Sequence, residues 1–100
     1  MIDGTYTLAI DTPFGRKPGT AELRTVGDKV QGVIDAPMVG KQRLEGRAEG
    51  EDAFSAAGTL KIMLMGKVTY DLRGKVEGDS IRITIQSSKG DFELEGTRVR

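Results

Sequence analysis

The chain contains no histidine, no cysteine, no tryptophan and no asparagine in its 100 residues. Each absence removes a class of function. Without His or Cys the usual ligands for zinc, iron–sulfur and haem-thiolate chemistry are missing. The same two absences remove the usual base and the thiol nucleophile of catalytic triads. With no cysteine no disulfide can staple the fold, so the core must hold it alone, and no oxidising compartment is implied. Without Asn there is no N-glycosylation acceptor. Aromatic residues number five, too few for a base-stacking platform. The net charge is zero, with 15 basic and 15 acidic residues, so nothing global favours nucleic acid.

Other absences concern location and motif. Met1 to Thr5 is neither a charged n-region nor an apolar h-region, so no secretory signal is expected. The longest nearly apolar run, Leu60 to Met65, contains Lys61 and is far shorter than a membrane span. Neither a nucleotide-binding Gly pattern nor a Gly-x-Ser-x-Gly elbow occurs. A cytoplasmic single domain over residues 1–100, with no cofactor, no metal and no nucleic acid partner, is the expectation.

What is present is alternation. Tyr6, Leu8 and Ile10 alternate with Thr5, Thr7, Ala9 and Asp11. Val30, Gly32 and Ile34 alternate with Gln31, Val33 and Asp35. Ile81, Ile83 and Ile85 alternate with Arg82, Thr84 and Gln86. Phe92, Leu94 and Gly96 alternate with Glu93, Glu95 and Thr97. Period two with one apolar face marks half-buried antiparallel strands. No window carries a helical stripe, and the 14 glycines would break one. Gly27-Asp28, Gly50-Glu51 and Gly78-Asp79 sit between such runs, and Gly at the first loop position suits a tight hairpin. The pattern predicts eight strands, at about 3–11, 18–26, 29–35, 42–50, 53–60, 67–77, 80–86 and 91–99. Tight turns join strands 2–3, 4–5 and 6–7, and longer connections join 1–2, 3–4, 5–6 and 7–8. Eight short strands without a helix predict an all-β, eight-stranded antiparallel up-and-down β-barrel, which leaves no exposed edge. A two-sheet sandwich is the alternative.

The chain ends carry a resemblance. Gly4-Thr5-Tyr6 opens the first strand, and Phe92-Glu93-Leu94-Glu95-Gly96-Thr97-Arg98 closes the last. The pair resembles that of the calycin group (lipocalins, fatty-acid-binding proteins, avidins). There a Gly-x-Trp on the first strand packs against an Arg on the last. Here Tyr6 takes the Trp position and Arg98 the Arg position. The resemblance implies that Arg98 points inward beside Tyr6 and stacks on its ring, closing one end. The full length, with Thr12-Pro13-Phe14-Gly15 after strand 1, also resembles small bacterial barrel domains.

A barrel of this order gathers unlike residues at its two ends. The four longer connections, taken as 12–18, 36–41, 61–67 and 87–90, hold Arg16, Lys17, Lys41, Lys61, Lys67 and Lys89 and no acid, a formal +6. Extended to Asp11, Asp35 and Asp91 they sum to +3. The three tight turns at the other end sum to −5. The cationic end also holds Phe14, Pro37, Met38, Val39, Ile62, Met63, Leu64 and Met65. Three readings of it stay open. The apolar residues fold down as a plug, or form an oligomer or enzyme-docking interface, or line the mouth of a site for a small amphipathic anion. In the last case Phe14, Arg16, Lys17, Met38, Lys61 and Met63 form the mouth. Tyr70, on the inward side of strand 6, orients the ligand's polar group.

Five inward glycines, Gly32, Gly46, Gly58, Gly74 and Gly96, could hollow the interior or admit a large residue opposite. A chain this short has little core volume to spare, which favours packing. The acid pairs Glu93/Glu95 and Glu45/Glu49 fall on outward parity and suit cross-strand charge pairs rather than a glycosidase cleft. Binding without catalysis is therefore the leading reading, an interaction module the next, and an enzyme the last.

Overall fold

A computed structural model describes residues 1–12, 15–36, 40–62, 66–88 and 90–99. The alternating segments form eight strands: β1 Gly4–Thr12, β2 Gly15–Val26, β3 Lys29–Ala36, β4 Gly40–Ala48, β5 Ala53–Ile62, β6 Gly66–Glu77, β7 Ser80–Ser87 and β8 Gly90–Arg98. Each pairs antiparallel with its neighbour in sequence, and β1 pairs with β8, giving a closed up-and-down barrel. The sandwich alternative falls, because all eight strands join one closed ring with no second sheet.

The inward residues are those picked out by the alternation. Tyr6, Leu8, Leu23, Val30, Ile34, Leu44, Phe54, Leu72, Val76, Ile81, Ile83 and Leu94 are buried in one cluster. Their outward neighbours carry the charge. Arg82 on β7 reaches Glu93 at 3.3 Å and Glu95 at 3.4 Å on β8, the cross-strand pairs expected of those acids.

Glycine has two separate jobs. Eight glycines have positive φ: Gly4, Gly15, Gly27, Gly40, Gly50, Gly66, Gly78 and Gly90, one at or just before the start of each strand. The other six, Gly19, Gly32, Gly46, Gly58, Gly74 and Gly96, lie within strands on the inward parity. At Gly74 a Cβ would stand 2.1 Å from the Phe54 ring, so the ring occupies the space a side chain would take. The glycines admit large neighbours, and packing accounts for them.

One expectation needs correction. The four connections at the cationic end are not longer than the tight turns. Thr12 pairs with Gly15 and Ser87 with Gly90 across two residues, and Ala36 pairs with Gly40 and Ile62 with Gly66 across three. Gly40 at φ 73° and Gly66 at φ 74° adopt the left-handed geometry that lets a three-residue connection feed straight into the next strand. The strands therefore run further than the sequence pattern suggests. Arg16, Lys17, Lys41, Lys61 and Lys67 stand on strands rather than in loops.

The opposite end is laced shut. Residues 27–28, 49–52 and 78–79 turn there together, where both termini also lie. Ala48 N–H donates to the Asp28 carbonyl at 2.8 Å, Val76 N–H to Asp52 at 2.7 Å and Arg98 N–H to Asp79 at 2.7 Å. Each bond ties a turn to a strand beyond its own hairpin. Ile2, 2% exposed, lies beneath, and Tyr6 donates to its carbonyl at 2.7 Å.

Candidate functional site

The end away from the termini holds the sequence-predicted site. Phe14, Met38 and Met63 lie outside the described residues. Of the others, β2 carries Arg16 and Lys17 as neighbours, so the strand's period sends them to opposite faces. Arg16 is on the outer wall, 3.4 Å from Asp11 and 4.0 Å from Glu95. Lys17 pairs in register with Ile10, which places it on the inward parity at the rim, exposed. Lys61 pairs in register with Lys67 in the β5–β6 ladder.

Tyr70 sits deeper. It pairs with Gly58 on one side and Ser87 on the other. Its ring lies across Gly58, the hydroxyl 3.2 Å from where a Cβ on that glycine would stand. The side chain is half-buried, and desolvation raises its pKa above the ordinary 10.0. Its hydroxyl donates to no described residue. A half-buried phenol that donates to no described residue is a ready hydrogen-bond donor for a carbonyl, carboxylate or sulfate oxygen.

Phe92 adds an apolar surface that the sequence alone assigned to the core. It pairs with Ile85, and Ile85 with Leu72, so all three share the inward face. Yet Phe92 keeps 43% of its surface exposed, while Leu72 is buried. Inward parity predicted burial; a position two residues from the start of β8 places it at the rim instead.

A second feature has no signature in local sequence. The β4–β5 ladder holds three pairs, Gly46↔Ala56, Arg47↔Ser55 and Ala48↔Phe54, against ten in β5–β6.

The concave grooves formed by described residues lie on the outer wall. One of about 710 Å³ is lined by Arg16, Arg73, Lys75, Arg82 and Glu95 among others, and its cations are largely matched by acids. Among the described residues no group of three or more acids, cysteines or histidines is placed to hold a metal ion. No helix among them is long and apolar enough to cross a membrane.

Comparison with known proteins places the architecture and nothing finer. No family model matches the chain. No curated protein matches it. Among solved structures it is similar to a redesigned β-barrel, with a TM-score of 0.64 at 8% identity, over 99% of this chain and 91% of that one. At that identity the likeness shows the fold alone.

Proposed function

We propose that this barrel is a non-catalytic binding protein that takes a small amphipathic anion at the end opposite its termini. The observation that carries the reading is Tyr70: an inward, half-buried phenol whose hydroxyl donates to no described residue. Phe92 offers an apolar surface on the inward face near the start of β8, and Lys17 a cation at the rim. Apolar contact for the body and charge with a hydrogen bond for the head are what such a ligand requires. The stacked Tyr6–Arg98 pair at the closed end supports a calycin-like reading of the same barrel, in which one end is plugged and the other receives.

The test is fluorescence titration with anilinonaphthalene sulfonate and displacement by decanoate, alongside native mass spectrometry. Saturable binding by a monomer, weakened about tenfold by Tyr70→Phe, supports the reading; that is the scale of one hydrogen bond to a charged group. Lys17→Glu should weaken it further at low salt. A protein that assembles into a defined oligomer and takes up neither probe overturns it. That outcome would favour the interaction module built on the same surface.

A further inference from the structure

We propose that the outer wall between β3 and β6 carries a site for a phosphate group, held between the guanidinium forks of Arg47 and Arg73. The site is separate from the barrel mouth: its residues face outward, and neither Tyr70 nor Lys17 takes part in it.

The alternation that buries Val30, Phe54 and Leu72 sends Lys29, Arg47, Ser55 and Arg73 to the outer face. Register aligns the four in one row. Lys29 pairs with Arg47, Arg47 with Ser55, and Ser55 with Arg73. The outward side chains of β5 here, Ser55 and Ala57, are too short to fill the space beside the long ones on β4 and β6. A groove of about 620 Å³ results, and all three cations line it.

Lys29 against Arg47 is a like-charge pair, which costs stability unless an anion answers it. The outer wall holds another such pair for comparison, Lys75 against Arg82. That pair is answered. Glu77 lies 3.4 Å from Lys75, and Glu93 and Glu95 lie 3.3 Å and 3.4 Å from Arg82. Among the described residues no acid stands within ion-pair distance of Lys29, Arg47 or Arg73. Glu49, two residues from Arg47, accepts from the Ser55 hydroxyl at 2.7 Å instead.

The lining also includes Asp28, Glu45, Glu49 and Asp71, four acids against three cations. A groove of that balance does not draw in a polyanion. What it offers is local: two planar forks, two ladder steps or roughly 10 Å apart along the sheet, with a third cation beside one of them. A compact group with several acceptor oxygens and about two negative charges answers both forks at once, and a phosphate is that group. A single carboxylate satisfies one fork and leaves the other unanswered.

The test is an amide NMR titration with inorganic phosphate and with glycerol phosphate at pH 7.5, sodium chloride holding the ionic strength constant. Saturable shifts at residues 47, 55 and 73 are expected, with a midpoint on the order of 1 mM. Tighter binding of glycerol phosphate identifies a phosphate carried on a larger molecule, and equal or weaker binding identifies the free ion. Arg47→Gln and Arg73→Gln should each weaken binding at least about tenfold, the scale of one charged hydrogen bond. Arg47→Lys/Arg73→Lys keeps the charge without the forks and should recover only part of that loss. Binding unchanged in the Gln variants, or shifts no larger than chloride alone produces, would overturn the site. Saturable shifts confined to Lys17 and the mouth would overturn it too, while supporting an anion at the mouth. A stability measurement needs no ligand. In phosphate-free buffer Lys29→Gln should raise the melting temperature and Lys75→Gln should lower it; a fall in both shows that the row is already answered within the chain and overturns the proposal.

Discussion

The guanidinium of Arg98 lies 5.3 Å from the centroid of the Tyr6 ring and donates to the Tyr6 hydroxyl at 2.9 Å. The two residues pair in register on β8 and β1, so the contact closes the ring of strands as well as its floor. Tyr6 passes the interaction on to the Ile2 carbonyl, and Arg98 also reaches the Met1 carbonyl. One phenol thus accepts from a cation and donates to the backbone.

Tyr6→Phe removes both roles at once, and leaves Ile2's carbonyl and part of Arg98 without partners. Chemical denaturation should show a loss of about 1–3 kcal/mol. Arg98→Lys keeps the charge but loses the planar stack, and should recover only part of that loss relative to Arg98→Ala.

Gly74→Ala places a methyl group inside the Phe54 ring, which is itself only 2% exposed. The ring cannot move outward without opening the floor. A melting-temperature drop corresponding to about 1–3 kcal/mol is expected. Phe54→Leu should restore part of it in the double variant, because the two substitutions share one space.

Tyr70 gives a pH dependence of definite sign. Desolvation raises the folded-state pKa above 10.0, so the neutral phenol is the form that folding favours. Below pH 10 both states hold the proton and stability is unaffected. Above it the unfolded chain ionises first, and stability falls as pH rises toward the folded-state value. Denaturation at pH 8 and pH 10.5 should show the fall, and Tyr70→Phe should reduce it.

Gly40→Ala forces a Cβ into the left-handed region at φ 73°, with no atom nearby to clash. The cost is purely conformational, about 1–2 kcal/mol. Incorporation of D-alanine at the same position should restore stability to the glycine level or above.

The inward set was legible because strand alternation needs no long-range information. Tyr6, Leu8, Ile81 and Ile83 declared themselves, as did the turns at Gly27, Gly50 and Gly78. The extra length of β2, β4, β5 and β6 at the cationic end was not. There Lys17, on the inward parity of β2, interrupts the apolar count, since at a rim even inward positions meet water. The candidate site was legible only in part for the same reason. Strand parity separates Arg16 from Lys17, which a loop assignment had merged. The short β4–β5 ladder, three pairs against ten in β5–β6, left no mark at all.

That short ladder also changes how the chain can be cut and rejoined. Opened at the β4–β5 seam, the ring becomes one continuous sheet running β5 to β8, then β1 to β4, and every remaining junction has at least five pairs. The N-terminal and C-terminal segments already meet, Val99 N–H donating to the Thr5 carbonyl at 2.7 Å. A circular permutant that joins those ends and begins at Glu51 would make the weakest junction the last to form. The topology, in effect, puts the ring's shortest ladder beside a turn at which the chain can be opened without breaking any other joint.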